Sequence, residues 1–156
     1  MDPEVARVAE AASASGVDIE TRAFVGPTRT AAEAAAALGV EVARIVKSLV
    51  FEVDGDVVVA LVSGANRLDE AKLAAAAGGS RARRAAPEQV SEATGFPVGA
   101  VPPFGHRRAL RVFVDGTLLA FDTVWAAAGS DRVNFEITPD QLVRVSGGTV
   151  WDLARP

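Results

Sequence analysis

Apolar and polar positions change rhythm several times along this chain, and each change marks an element. Val5, Val8 and Ala12 recur at helical spacing up to Gly16, behind Asp2-Pro3-Glu4, which offers a capping acid, a proline at the first helical position and a carboxylate in the first turn. An extended piece follows near Arg22 to Val25. Thr30-Ala31-Ala32-Glu33 is a capping box, and the alanine run it opens ends at Leu38-Gly39, so a second helix is predicted there. Val46–Val53 and Val57–Ser63 are β-rich runs joined by Asp54-Gly55-Asp56, a hairpin signal. A third helix is expected from Asn66, as its cap, to Ala77, stopped by Gly78-Gly79, with Lys72 paired to Asp69 on its surface. Pro87–Thr94 reads as a short fourth helix closed by Gly95. Leu110–Val114, Leu118–Trp125 and Val133–Ile137 read as strands, the first two joined at Asp115-Gly116. Thr138-Pro139-Asp140-Gln141 is a second capping box and opens a last helix before Gly147-Gly148. With strands in the middle, helices mainly outside and no repeats or linkers, the pattern predicts one α+β domain around a mixed sheet.

One position breaks the pattern. In Val46-Lys47-Ser48-Leu49-Val50-Phe51 both alternating sets of side chains are apolar, so the strand should be central and covered on both faces, and Lys47 is turned inward. The chain has 16 Lys plus Arg, and only Lys47 and Lys72 among them are lysine, so a cation of indifferent type would here be Arg. A buried ammonium loses several kcal/mol of solvation (~3–5 if left unpaired). Either Lys47 reaches water or a structural carboxylate at the strand end, or it binds an anion in a cleft.

Composition narrows the chemistry. The 156 residues, 49% of them apolar, suit one domain with a real core. With no cysteine and one histidine there is no thiolate nucleophile, disulfide or His cluster, so no metal and no cofactor is expected. The phosphate loop, the dinucleotide fingerprint and Gly-x-Ser-x-Gly are absent. The opening residues carry no targeting pattern and no segment has the length of a membrane span, so a soluble, cytoplasmic protein without a membrane partner is expected. Net charge is −4, but residues 81–111 hold six arginines (Arg81, Arg83, Arg84, Arg107, Arg108, Arg111) against Glu88 and Glu92, which suggests a basic face on an acidic body.

Gly95-Phe96-Pro97-Val98-Gly99-Ala100-Val101-Pro102-Pro103-Phe104-Gly105-His106 cannot form a regular element. Three glycines and three prolines before His106 predict a rigid, shaped loop, which either turns a corner or aims main-chain N–H groups at a developing oxyanion.

These residues, in this order, resemble the YbaK family. The match runs through Val46-Lys47-Ser48-Leu49-Val50-Phe51, Val62-Ser63-Gly64 with Arg67-Leu68-Asp69, the Gly95–Gly105 loop, Ala128-Gly129 and Leu142-Val143-Arg144-Val145-Ser146-Gly147-Gly148, over roughly residues 20–153. The family comprises free-standing relatives of the editing domain inserted in bacterial prolyl-tRNA synthetases. The resemblance implies a mostly antiparallel, partly closed sheet surrounded by helices, and hydrolysis of a mischarged aminoacyl-tRNA, with tRNA(Pro) carrying Cys or Ala as the substrate and prolyl-tRNA synthetase as a possible partner. It implies Lys47 and Gly99 as catalytic groups and a pocket walled by Ser63, Gly64, Pro102, Pro103, Phe104, Gly105, His106, Gly129 and Ser130. Arg83, Arg84, Arg107 and Arg108 would meet the acceptor stem. The synthetase insertion has a pocket histidine where this chain has Ser130 or Asp131. Two rivals remain: a module that holds an aminoacyl or nucleotide end without hydrolysing it, and a serine hydrolase built on His106, Ser63 and Asp122.

Overall fold

The structure, a computed structural model, describes residues 2–156. In chain order the elements are α1 (Pro3–Ala14), β1 (Thr21–Ala23), α2 (Ala31–Leu38), β2 (Val46–Val53), β3 (Asp56–Ser63), α3 (Glu70–Ala76), β4 (Ala82–Arg84) and α4 (Pro87–Thr94). After the long loop come β5 (Arg111–Asp115), β6 (Val124–Ser130), β7 (Val133–Ile137), α5 (Pro139–Ser146) and β8 (Thr149–Trp151). Asp54 and Gly55, with φ of +48° and +92°, are the left-handed pair that a two-residue hairpin turn requires between β2 and β3. Both predicted capping boxes form, Thr30 with Glu33 and Thr138 with Gln141, and Asp2 caps α1.

The strands make two sheets. One is ordered β4-β2-β3-β5-β8, antiparallel across β4, β2 and β3 and parallel from β3 to β5 to β8; the other, β1-β7-β6, is antiparallel. Among the described residues one β-bridge links them, between Ile45, just before β2, and Trp125. The sheets are mixed and mostly antiparallel, as expected, but neither is closed, which corrects the expected partial closure: β6 meets β2 at one residue and then diverges.

The central strands of the larger sheet, β2, β3 and β5, are covered on both faces, which is why β2 and β3 lack alternation. Val46, Val50, Val59, Leu61, Val112 and Val114 pack on the smaller sheet and on α1, α4 and α5, while Phe51, Val53, Val58, Ala60, Val62 and Phe113 pack on α3 and Leu153. Lys47 belongs to the α3 side.

Three sequence expectations fail for local reasons. Helix α3 starts at Glu70, capped by Asp69, and Asn66 lies outside it. The chain before it is held extended by the C-terminal segment, through Asp69 N–H to the Leu153 carbonyl at 2.7 Å and the Leu68–Ala154 bridge. That same segment takes the Lys72 ammonium, which bonds Asp152 at 2.8 Å and the Ala154 carbonyl at 2.6 Å in place of Asp69. The run Leu118–Trp125 splits into a 3-10 turn, Gly116–Ala120, and the start of β6, because the Asp115 carboxylate caps Thr117 N–H and turns Leu118 into the core.

Part of the predicted loop serves to seat α1. A Cβ on Gly105 would sit 3.4 Å from the Arg7 carbonyl and the Val8 Cα, and His106 Nε2 donates to the Pro102 carbonyl at 2.7 Å. Gly129, at φ +92°, lies where a Cβ would meet Phe96 at 2.8 Å and the Glu4 carbonyl at 3.0 Å. Replacing it by alanine forces both backbone strain and a main-chain clash, so Gly129→Ala is expected to lower unfolding stability by about 2–4 kcal/mol in urea titrations.

Burial holds the His106 pKa below the ordinary 6.5; the bond to Pro102 opposes this and the Arg7 charge reinforces it. The unfolded chain therefore takes up a proton near pH 6.5 that the folded chain refuses, so stability is unaffected above that pH and falls as pH drops below it. In urea titrations from pH 7.5 to 5, His106→Gln should flatten that acid-side loss; an unchanged slope would place the sensitivity elsewhere.

Candidate functional site

β4 pairs with β2 only over Phe51–Val53, and the bridge to β6 involves only Ile45. The intervening edge of β2 has no strand beside it on that side. A cavity of about 450 Å³ opens there, floored by residues 45–50 and walled by Thr28–Ala31 ahead of and in α2, by Arg84, Ala85, Pro87 and Val90 in and between β4 and α4, and by Val98, Gly99 and Val101 of the loop. It carries Arg29, Lys47 and Arg84, and none of its lining residues is Asp, Glu, His or Cys. The site is therefore a positively charged hollow with hydroxyls but no general base of ordinary type.

Lys47 is half-buried, and its Nζ donates to the Asn66 carbonyl. It forms no ion pair with a carboxylate among the described residues. Desolvation lowers its pKa below the ordinary lysine value; the Asp115 charge partly offsets this, while Arg67 and Arg84 add to it. Asp115 is 1% exposed and bonds three donors: Ser63 N–H at 3.2 Å, Asn66 Nδ2 at 2.9 Å and Thr117 N–H at 3.1 Å.

The loop divides in two. Val98, Gly99 and Val101 face the cavity, Gly99 at φ +90° with Arg29 methylenes 3.6 Å from where its Cβ would be. Pro102, Pro103 and Phe104 are buried beneath, with Phe104 packed on Phe135 at a ring separation of 5.5 Å, and Gly105 and His106 turn to α1. Of the residues singled out in the sequence, Lys47, Gly99 and Arg84 line the cavity; Ser63, Gly64, Pro102, Pro103, Phe104, Gly105, His106, Gly129 and Ser130 lie behind or beside it. Ser63 Oγ donates to the Ala43 carbonyl at 2.7 Å and His106 to Pro102, so the two do not form a nucleophile–base pair. Ser130 Oγ accepts from Arg132 N–H at 3.3 Å, and Asp131 forms an ion pair with Arg29 at 2.9 Å.

Sequence reasoning missed Thr28, Arg29, Ser48 and Asn134. Strand alternation sets Asn134 opposite Phe135, yet the segment holding Thr28 covers it, and Asn134 Nδ2 donates to Thr28 Oγ1 at 2.9 Å. The Pro27-Thr28-Arg29-Thr30 lead into the capping box was the available signal. The basic third flanks α4: Arg83 pairs with Glu52 at 2.8 Å and Arg84 covers Phe51 at one end, while Arg107 and Arg108 lie at the other, Arg108 paired with Glu92 at 3.1 Å.

Among the described residues no helix is long and apolar enough to cross a membrane, and no group of metal-binding side chains gathers. Residues 25–145 match the aminoacyl-tRNA editing domain model. The YwhH protein of Bacillus subtilis is 36% identical over 128 residues, which is 82% of this chain and 82% of that protein. The proline–tRNA ligase of Maridesulfovibrio salexigens is 44% identical over 93 residues, covering 60% of this chain but only 16% of the ligase. A crystal structure presented as a candidate trans-editing enzyme for prolyl-tRNA synthetase superposes with a TM-score of 0.92 at 43% identity, covering 100% of this chain and 99% of that one. The chain belongs to the aminoacyl-tRNA editing domain family.

Proposed function

We propose that this protein deacylates mischarged aminoacyl-tRNA in trans, removing a small amino acid, Cys or Ala, from tRNA(Pro). What carries this reading is the cavity: about 450 Å³, with three cations and no carboxylate in its lining, beside the free edge of β2. That volume lies in the ~300–1,000 Å³ range of small-ligand sites, enough for a terminal aminoacylated nucleoside and too little for a duplex. The proline–tRNA ligase relative, of which the match above spans only 16%, supports tRNA(Pro) as the carrier.

In this mechanism the Lys47 ammonium meets the phosphate or ribose of the 3′ end and sets the ester against the loop. Ala100 N–H is already bonded to the Pro97 carbonyl at 3.1 Å, and Gly99, on the cavity face of the loop, is proposed as the loop's contribution beside the ester oxygen. Water attacks the acyl carbon, the acyl C–O bond to the ribose breaks, and the ribose oxygen takes the proton as the free amino acid leaves. No His, Cys or carboxylate lines the cavity, so the proton moves through the vicinal ribose hydroxyl, or through the thiol of a cysteinyl ester. Small pockets separate side chains differing by one methylene by only ~1–3 kcal/mol, so a panel of tRNA(Pro) charged with Pro, Ala, Cys and Ser is the direct test. Binding of every species without accelerated hydrolysis would instead favour a module that merely holds the aminoacyl end.

Lys47→Ala is expected to cut kcat/KM by at least ~10², the scale of one preorganised electrostatic donor. Lys47→Arg should not restore it, because a planar fork cannot take the place of a compact ammonium. Below its lowered pKa, folded Lys47 bears the cost of a desolvated charge that the unfolded chain does not. The alanine variant should therefore match or exceed the parent's stability at neutral pH, and any gain should shrink as pH rises toward 10.5. A destabilised variant with normal turnover would make Lys47 a structural residue.

Arg107 and Arg108, outside the cavity, are proposed to meet acceptor-stem phosphates. Neutralising both should raise KM for charged tRNA and flatten its salt dependence while leaving a short aminoacyl-nucleotide mimic unaffected. Arg84 lines the cavity, so Arg84→Ala should impair both substrates. Equal damage to both substrates from Arg107 and Arg108 would overturn the docking surface.

A further inference from the structure

Lys47 stands opposite Val62 in the β2–β3 ladder, and the β3–β5 ladder, which ends with Leu61 opposite Val114, brings Asp115 to the next level on the same α3-facing side. Between them sits Asn66. Its main-chain carbonyl accepts the Lys47 ammonium, and its side-chain amide donates to Asp115 Oδ2 at 2.9 Å and to Thr117 Oγ1 at 3.0 Å. Asp115 also fixes Ser63 N–H at the end of β3 and Thr117 N–H after β5, so one carboxylate ties together the two segments that bracket Asn66. It meets only hydrogen-bond donors: no cation lies within ion-pair distance of it among the described residues. A 1% exposed carboxylate is costly to keep charged without a cation, and its use here is to hold Asn66 rigidly while lending negative charge to the one ammonium nearby. Besides Asp115, the charged groups acting on Lys47 are Arg67 before α3 and Arg84 on β4, both positive; Arg29 across the cavity is paired with Asp131.

We propose that Asp115 is the positioning residue of the site: through Asn66 it fixes where the Lys47 ammonium points, and its charge offsets those of Arg67 and Arg84 around that ammonium. This rests on the proposed role of Lys47 in deacylation, but its first test does not. In protein labelled at the lysine side chains, NMR titration of Lys47 should show its proton leaving at lower pH in Asp115→Asn than in the parent, because the only negative charge acting on it is gone. In deacylation assays, corrected for spontaneous ester hydrolysis, Asp115→Asn should shift the alkaline limb of kcat/KM to lower pH and lower kcat, with KM for charged tRNA little changed. Asn66→Ala keeps the charge and frees the carbonyl: kcat should fall on the order of 10- to 100-fold, as for a misplaced catalytic group, without movement of the limb. Asp115→Glu keeps the charge at altered reach and should restore the limb's position, with kcat only partly recovered.

An unmoved Lys47 titration in folded Asp115→Asn overturns the charge role. Unchanged kcat in folded Asn66→Ala overturns the tether. If Asp115→Asn does not fold, Asp115→Glu and Asn66→Ala still decide: both with parental kcat and limb would leave Asp115 a purely structural residue. Absence of deacylation in the parent would instead sink the proposed function while leaving the NMR result to stand or fall alone.

Discussion

A sheet covered on both faces must satisfy its backbone within itself, since no water reaches it. The β2–β3 ladder obeys this over its whole length, from Val46 opposite Ser63 to Val53 opposite Asp56. Every other element is arranged around that hairpin: α3 over one face, the smaller sheet with α1, α4 and α5 over the other. On its other side β2 has a gap between Ile45 and Val50, whose carbonyl takes the Ala85 N–H: β4 does not reach it and β6 has already diverged. The candidate site is that gap. A ligand there meets a rigid floor, because the other side of β2 is fully paired with β3.

The same hairpin explains how much of the molecule could be read in the sequence. Long apolar runs, the Asp54-Gly55 turn and the two capping boxes announce themselves locally, and their elements formed close to the expected bounds. The errors fall where distant chain decides local structure. The C-terminal segment holds residues 66–69 extended and takes the Lys72 ammonium, and nothing near Asn66 encodes that. Strands β4 and β8, three residues each, exist because β2 and β5 offer edges, and three residues carry no period.

The site was legible in chemistry more than in membership. Lys47 stood out because a charge in a doubly apolar strand demands a reason, and Gly99 because a Gly/Pro loop shapes space. Yet most of that loop shapes the fold: Phe104 packs on Phe135, and Gly105 and His106 seat α1. Proline and glycine signal a fixed path and are silent about which side of the path faces a ligand. Conversely Thr28, Arg29 and Asn134 gather only because residues 24–30 lie against the 130–134 turn, through Phe24 N–H to the Arg132 carbonyl and Thr28 N–H to the Asp131 carbonyl. Such a contact across a hundred residues leaves no periodic trace.

The scarcity of lysine becomes intelligible from what the two cation types do here. Five arginines, Arg7, Arg22, Arg44, Arg84 and Arg111, place their guanidinium groups over phenylalanine rings, a contact that suits a weakly hydrated cation. Main-chain carbonyls accept from both types, from Arg7, Arg44 and Arg111 as from the two lysines, Lys47 on Asn66 and Lys72 on Ala154, but among the described residues neither lysine has a ring beneath it. A compact ammonium reaches such a carbonyl with one of its three N–H donors and keeps the others for further acceptors. At Lys72 that geometry pins a terminal segment beside an exposed carboxylate. At Lys47 it occurs against a cavity with no carboxylate in its lining, so the remaining N–H donors meet no anion there.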